Sequence, residues 1–167
     1  MSSLKDLRFE GYTAEEILAL PSDEFDAYVF CGEPLVIDVG TSNVLGEFSI
    51  EERTLVLELA QIDGGGEGVL LGLTLLANRV AESRGLTHIE WRVHAVHCAE
   101  PNLKLRRVLN RRGFEVRVLE GTGEVYHKTV PAPHSEHNQS LQQTLDPAAV
   151  SADAESSSAS SAAEPRR

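Results

Sequence analysis

Glu58 is the first residue in this chain whose setting points to chemistry. Segment 54–62 alternates, with Leu55, Leu57, Leu59 and Gln61 on one side and Val56, Glu58, Ala60 and Ile62 on the other. Glu58 thereby falls on a mostly apolar strand face, and a carboxylate held against apolar surface is a stronger base than one in water. It is a candidate general base; the competing reading is a Glu facing solvent from a half-exposed sheet. His94, His97 and Cys98 follow the next strand, and His97 is a second candidate base. The spacing His-x-x-His-Cys also raises a metal site, but a strand does not bring positions i and i+3 together, so no metal is expected.

Between these groups lies Asp63-Gly64-Gly65-Gly66-Glu67-Gly68. A glycine turn between a strand and a helix start presents backbone N–H groups beside the positive end of the helix dipole, an arrangement that suits a pyrophosphate. No Gly-Lys-Ser/Thr follows, which excludes a Walker A loop, and the turn comes after the fourth strand rather than the first, which excludes a Rossmann turn. The alternative is a connection that binds nothing. A carboxylate at Glu67 would repel a phosphate unless its side chain points away. Further on, Lys104, Arg106, Arg107, Arg111, Arg112 and Arg117 concentrate basic charge. Lys104, Arg107 and Arg111 share a helical face opposite Leu105 and Leu109, placed either to meet phosphates or to be a solvated face paired with surplus carboxylates.

The elements that must position these residues follow from periodicity and turn chemistry. Thr13 and Glu16 form a capping box that opens a helix through Leu20, which Pro21 ends. Three short apolar runs, Ala27–Cys31, Leu35–Val39 and Val44–Ile50, are separated by turn compositions and predict an antiparallel meander leading to the strand at Thr54–Ile62. Val69, Leu73, Leu76 and Val80 recur at helical spacing down to Gly85. His88–Ala95 reads as the next strand, with Trp91 as core. Pro101 to Arg112 reads as a second helix closed by Gly113, and strands near Phe114–Leu119 and Val125–Val130 complete the domain. The expected fold is α/β: a mixed, mainly antiparallel sheet with a central β-α-β unit and a helix on either face.

With 41% hydrophobic and 25% charged residues in 167, the chain has the composition of one globular domain. After Pro133, Ser, Ala and Gln replace the apolar periodicity. The expected organisation is therefore a folded body at 1–133 and a disordered Ser/Ala-rich tail at 134–167. The tail's five acids and two bases leave the body with 21 acids against 13 bases, a formal charge of −8. Such a field disfavours nucleic acid and anionic membrane surfaces. No apolar run is long enough to span a bilayer and the start lacks a signal peptide's apolar stretch, so a cytoplasmic protein is expected. Cys31 and Cys98 stand far apart and read as reduced thiols.

From Leu35 to Val130 the order of elements resembles the GCN5-related N-acetyltransferase (GNAT) superfamily. Gln61-Ile62-Asp63-Gly64-Gly65-Gly66 matches its loop motif Arg/Gln-x-x-Gly-x-Gly/Ala, with Gly66-Glu67-Gly68 as an alternative register. Asn102 followed by Gly113-Phe114 has the spacing of its later motif. The resemblance implies acetyl-CoA as co-substrate, held by Gln61, Ile62, Gly64, Gly65, Gly66, Gly68, Val69, Asn102, Lys104 and Arg107. It implies transfer of an acyl group to a primary amine of a small molecule or peptide, with Glu58 or His97 as base. Leu109 stands where that pattern often carries a Tyr that protonates the CoA thiolate, and Tyr126 is the candidate replacement, a strand Tyr otherwise read as packing. The alternative implied by Leu109 and Glu67 is a catalytically inactive GNAT-fold regulatory or protein-interaction module. The acidic surface favours a cationic acceptor such as a polyamine, an aminoglycoside or a Lys-containing peptide. A homodimer is left open.

Overall fold

The computed structural model describes residues 4–64 and 67–133, with Glu67 described by its backbone alone. The expected disorder of 134–167 and the placements of Gly65, Gly66 and the Glu67 side chain lie outside the described residues. A 3-10 turn (Leu4–Asp6) leads into β1 (Leu7–Phe9), β2 (Tyr12–Thr13), α1 (Ala14–Leu18) and α2 (Ser22–Val29). Then follow β3 (Leu35–Val39), β4 (Ser42–Glu51), β5 (Thr54–Ala60), α3 (Glu67–Arg84), β6 (His88–Val93), α4 (Leu103–Arg111), β7 (Glu115–Leu119) and β8 (Gly123–Pro131).

The strands form one sheet in the order β2-β1-β3-β4-β5-β6-β8-β7. Every neighbouring pair is antiparallel except β5 and β6, which are parallel and joined through α3. The architecture that the resemblance implies is therefore present: a mixed, mainly antiparallel sheet around a β-α-β unit.

Two expectations give way. Ala27–Cys31 is not a strand: Ala27 to Val29 close α2, a helix that starts after Pro21 with Asp23 and Glu24 in its first turn, and Phe30 caps it. Its Phe25 and Val29, one helical turn apart, are buried; a short apolar run cannot be assigned to helix or strand by itself, and the acidic first turn decides for the helix. The capping box at Thr13 and Glu16 is formed as the sequence predicts.

The second correction concerns the helices, which do not lie one on either face. β6 is parallel to β5 and also to β7, since β6 and β7 both pair antiparallel with β8. The crossovers through α3 and α4 step in the same direction along the sheet, and right-handed crossovers in one direction deliver their helices to one face. Accordingly Leu70 and Thr74 of α3 and Arg112 and Phe114 beyond α4 line the same cavity with Trp91, Lys128 and Val130.

Register then sorts the side chains. Leu55, Leu57 and Leu59 pair with Ile89, Trp91 and Val93 on the helix-bearing face. There α3 buries Val69, Leu73, Leu76 and Val80, each large aliphatic contributing about 1.5–3 kcal/mol by leaving water. The opposite face carries a row running across five strands: Glu47, Glu58, Arg92, His127 and Glu115.

Candidate active site

The parallel ladder of β5 and β6 ends at Leu59 and Val93. Beyond it the two strands part. His94 still donates its N–H to the Leu59 carbonyl (2.8 Å), after which Ala95 N–H turns back to the Val93 carbonyl (3.0 Å). On the other side Gln61 takes a left-handed φ of 49°, and Asp63 N–H bonds to the Asn43 carbonyl (2.9 Å), drawing the exit of β5 towards β4. Gln61 is exposed and Ile62 buried. Gly64 has φ 84°, and a side chain there would collide with the Ser42 hydroxyl, so both conformation and space call for glycine.

Asn102 spans the opening. Its side-chain oxygen accepts the Leu105 N–H (3.0 Å) and so caps α4, while its amide donates to the carbonyls of Gly64 (2.9 Å) and Ile62 (3.4 Å). Both ends of the side chain are thus engaged within the protein, fixing the start of α4 to the loop that follows β5. Arg106, one turn later, donates through Nε to the Ala95 carbonyl (2.9 Å) and through its terminal nitrogen to the Val96 carbonyl (2.6 Å). The sequence reading grouped Arg106 with the basic cluster and missed this clamp on the turn after β6; the available signal was its place four residues after the Asn cap, on the side of α4 turned towards the preceding turn. Lys104, Arg107 and Arg111 are exposed, opposite buried Leu105 and Leu109, as the helical spacing predicts. Gly68 opens onto a cavity of about 580 Å³ whose charged walls are Lys5, Asp6, Arg8 and Asp38, and Val69 beside it is fully buried.

Glu58 and His94 meet at the same opening, on the face away from α3 and α4. Glu58 Oε1 lies 2.6 Å from His94 Nε2, and each side chain is about one-third exposed, at 33% and 34%. With Glu58 ionised, His94 is the donor. Arg92, the ladder partner of Glu58, turns instead to Glu90 (2.8 Å) and Glu51 (3.3 Å). Burial opposes ionisation of Glu90, but hydrogen bonds and charge from Arg92 and then His127 outweigh it and hold that carboxyl below its ordinary value. Burial likewise disfavours the charge on Arg92, yet Glu90 and then Glu51 more than offset it and raise its pKa. His97 stands apart: its ring is 74% exposed and its Nε2 lies 2.6 Å from Glu124 at the start of β8. Tyr126 pairs with Val93 on the helix-bearing face and is buried in the core. The structure therefore brings Glu58 together with His94, not with His97, and places Tyr126 across the sheet from both. Among the described residues no three His, Cys, Asp or Glu side chains gather as metal ligands, and no helix is long and apolar enough to cross a membrane.

No family model matches the sequence, and no curated protein does. Solved structures are similar in part. Nourseothricin acetyltransferase is 23% identical over 60% of this chain with a TM-score of 0.35, and the chain spans 65% of the length of that protein. PaiA N-acetyltransferase from Thermoplasma acidophilum, solved with coenzyme A, is 11% identical over 74% of this chain and 99% of its own, with a TM-score of 0.36. Ard1 from Thermoplasma volcanium is 11% identical over 75% and 96% of the two chains, with a TM-score of 0.37.

Proposed function

We propose that this protein is an acyl-CoA-dependent N-acyltransferase that uses acetyl-CoA and acts on a primary amine of a small molecule or peptide. The observation that carries the reading is the Glu58–His94 pair, 2.6 Å apart at the point where β5 and β6 separate. Acyl transfer needs a base beside a thioester carbonyl, and the opening where β5 and β6 part would receive the thioester next to that base. Ile62, Gly64 to Gly66, Gly68 and Val69 would hold the pantetheine and pyrophosphate, with Gln61, Lys104 and Arg107 at the rim and Asn102 fixing the loop.

In this mechanism the Glu58–His94 pair takes the proton from the acceptor ammonium. The freed amine attacks the thioester carbon, the C–N bond forms, the C–S bond breaks, and the thiolate leaves with a proton returned to it. Tyr126 is the proposed donor; it pairs with Val93, the last ladder residue of β6, on the opposite face of the sheet from the base. His97, paired with Glu124 on the surface, is better placed to hold the turn after β6 than to reach a thioester.

Leu109 supports the alternative of an inactive module. It is 0% exposed in the core at the place where a thiolate donor would be expected. The two readings separate by calorimetric titration with acetyl-CoA and with CoA, followed by thiol release with a panel of polyamines, aminoglycosides and Lys peptides. The enzyme reading expects micromolar binding and turnover, with Glu58→Gln lowering kcat by roughly 10²–10⁴-fold while CoA affinity stays the same. Absence of binding at millimolar acetyl-CoA by folded protein, or full turnover in Glu58→Gln together with His94→Gln, refutes it.

A further inference from the structure

We propose that the cavity enclosed by α3, the sheet and the turn that follows α4 is a second binding site, for a small carboxylate with an aromatic or aliphatic body. It lies on the helix-bearing face, whereas Glu58 and His94 occupy the other, so it is independent of the acyltransfer reading. The cavity holds about 310 Å³, at the small end of the range for ligand pockets, where a mostly apolar wall and a few convergent polar groups are the rule.

Its floor and walls are apolar: Leu70 from α3, Trp91 and Val130 from the sheet, and Phe114 beyond α4. Trp91 and Phe114 meet edge to face, their centroids 6.4 Å apart at 77°, which leaves a corner that accepts a flat or branched apolar group. Among the described residues, the charged ones on the lining are Arg112 and Lys128, both cationic. In a body of formal charge −8, a cavity whose described lining carries two cations and no carboxylate selects an anion. Lys128 is held in place by donating to the Arg112 carbonyl (2.5 Å) and by lying 5.6 Å over the Phe114 ring. That bond also covers a carbonyl at the C-terminal end of α4, which would otherwise repel an anion. Arg112 supplies the planar donor group that a carboxylate can bridge.

Trp91 is the chain's one tryptophan, so its fluorescence reports occupancy directly. The full chain is titrated with 3-phenylpropionate, 3-phenylpropanol and 3-phenylpropylamine, which share a body and differ in charge. The carboxylate should give a saturable change at millimolar concentration or below, the alcohol should bind roughly tenfold more weakly, and the amine should give none. Arg112→Gln leaves the backbone carbonyl that Lys128 uses, and so keeps the fold; it should weaken the carboxylate roughly tenfold and leave the alcohol unchanged. No saturable response, equal affinity for acid and alcohol, or unchanged affinity in Arg112→Gln overturns the proposal.

Discussion

Replacing Asn102 tests whether one side chain joins α4 to the loop after β5. Asn102→Ala removes the cap on Leu105 N–H and the bonds to the carbonyls of Gly64 and Ile62. Loss of an N-cap costs about 1 kcal/mol, and loss of the shorter carbonyl bond about 1 kcal/mol more. The 3.4 Å bond adds little. Ala should therefore destabilise by about 2 kcal/mol, or lower Tm by about 7 °C for a domain of this size. Asn102→Asp separates the two contributions. The Asp side chain still caps Leu105 and adds favourable charge at the helix start, but it has no N–H to give Gly64 and faces that carbonyl with an oxygen. It should lose about 1 kcal/mol, falling between Ala and the native protein. Hydrogen exchange gives the site-specific reading: Leu105 N–H loses protection in Ala and keeps it in Asp, while amides at 62–64 open in both. If Asp matched the native protein in stability and in loop protection, the bridge to Gly64 would contribute nothing and the argument would fail.

Two further outcomes follow from the geometry. Gly64→Ala should cost about 1–2 kcal/mol for the left-handed backbone, with an added clash against Ser42. Ser42→Ala in the same chain should relieve the clash with the hydroxyl but neither the close approach to the Cβ at 3.1 Å nor the backbone cost, and strictly additive effects by thermal unfolding would contradict the contact. Glu90 has a pKa held below its ordinary 4.5 in the folded state. It therefore contributes stability that is present above that value and lost as pH falls through the folded pKa. Glu90→Gln should be about 2 kcal/mol less stable than the native protein at neutral pH, given the side-chain exposure of 18% and the second partner of Arg92. That gap should shrink in denaturant titrations as pH falls below 4.5; a gap independent of pH would show that the carboxylate is not what stabilises the network.

The elements that sequence alone could place are those whose signals are local. The alternation around Glu58, the helical spacing from Val69 to Val80 and the Thr13 box all depend on neighbours within a few residues. β1 escaped notice because Leu7–Phe9 is too short for a period to register, although Leu7 and Phe9 are among the most buried residues. α2 was misread because Ala27–Cys31 is apolar at either period. His94 could be seen near the end of a strand, but its pairing with Glu58 depends on the parallel register of β5 and β6, and no feature of either strand alone sets that register. Arg106 was hidden for a related reason: its partners are backbone carbonyls at Ala95 and Val96, which leave no side-chain signature. The shared face of α3 and α4 follows from handedness once the strand order is known, and strand order was the missing datum.

That shared face also bears on the charge around the proposed base. With α3 and α4 on one side, the other can carry a polar row, and in that row Glu47 stands directly opposite Glu58. Like charges facing each other across a ladder are destabilising. Arg92, the cation on the other side of Glu58, is drawn away to Glu51 and Glu90, and Glu58 instead shares a hydrogen bond with His94. On the proposed reading, a protonated amine arriving on this face would meet the two facing carboxylates, with the imidazole on the far side of Glu58 from Glu47, and would relieve their repulsion as it binds. An anionic acceptor would add to it. The same juxtaposition would thus favour the proposed cationic acceptor at the proposed base, and would do so through Glu47 and Glu58 themselves rather than through the net charge of the chain.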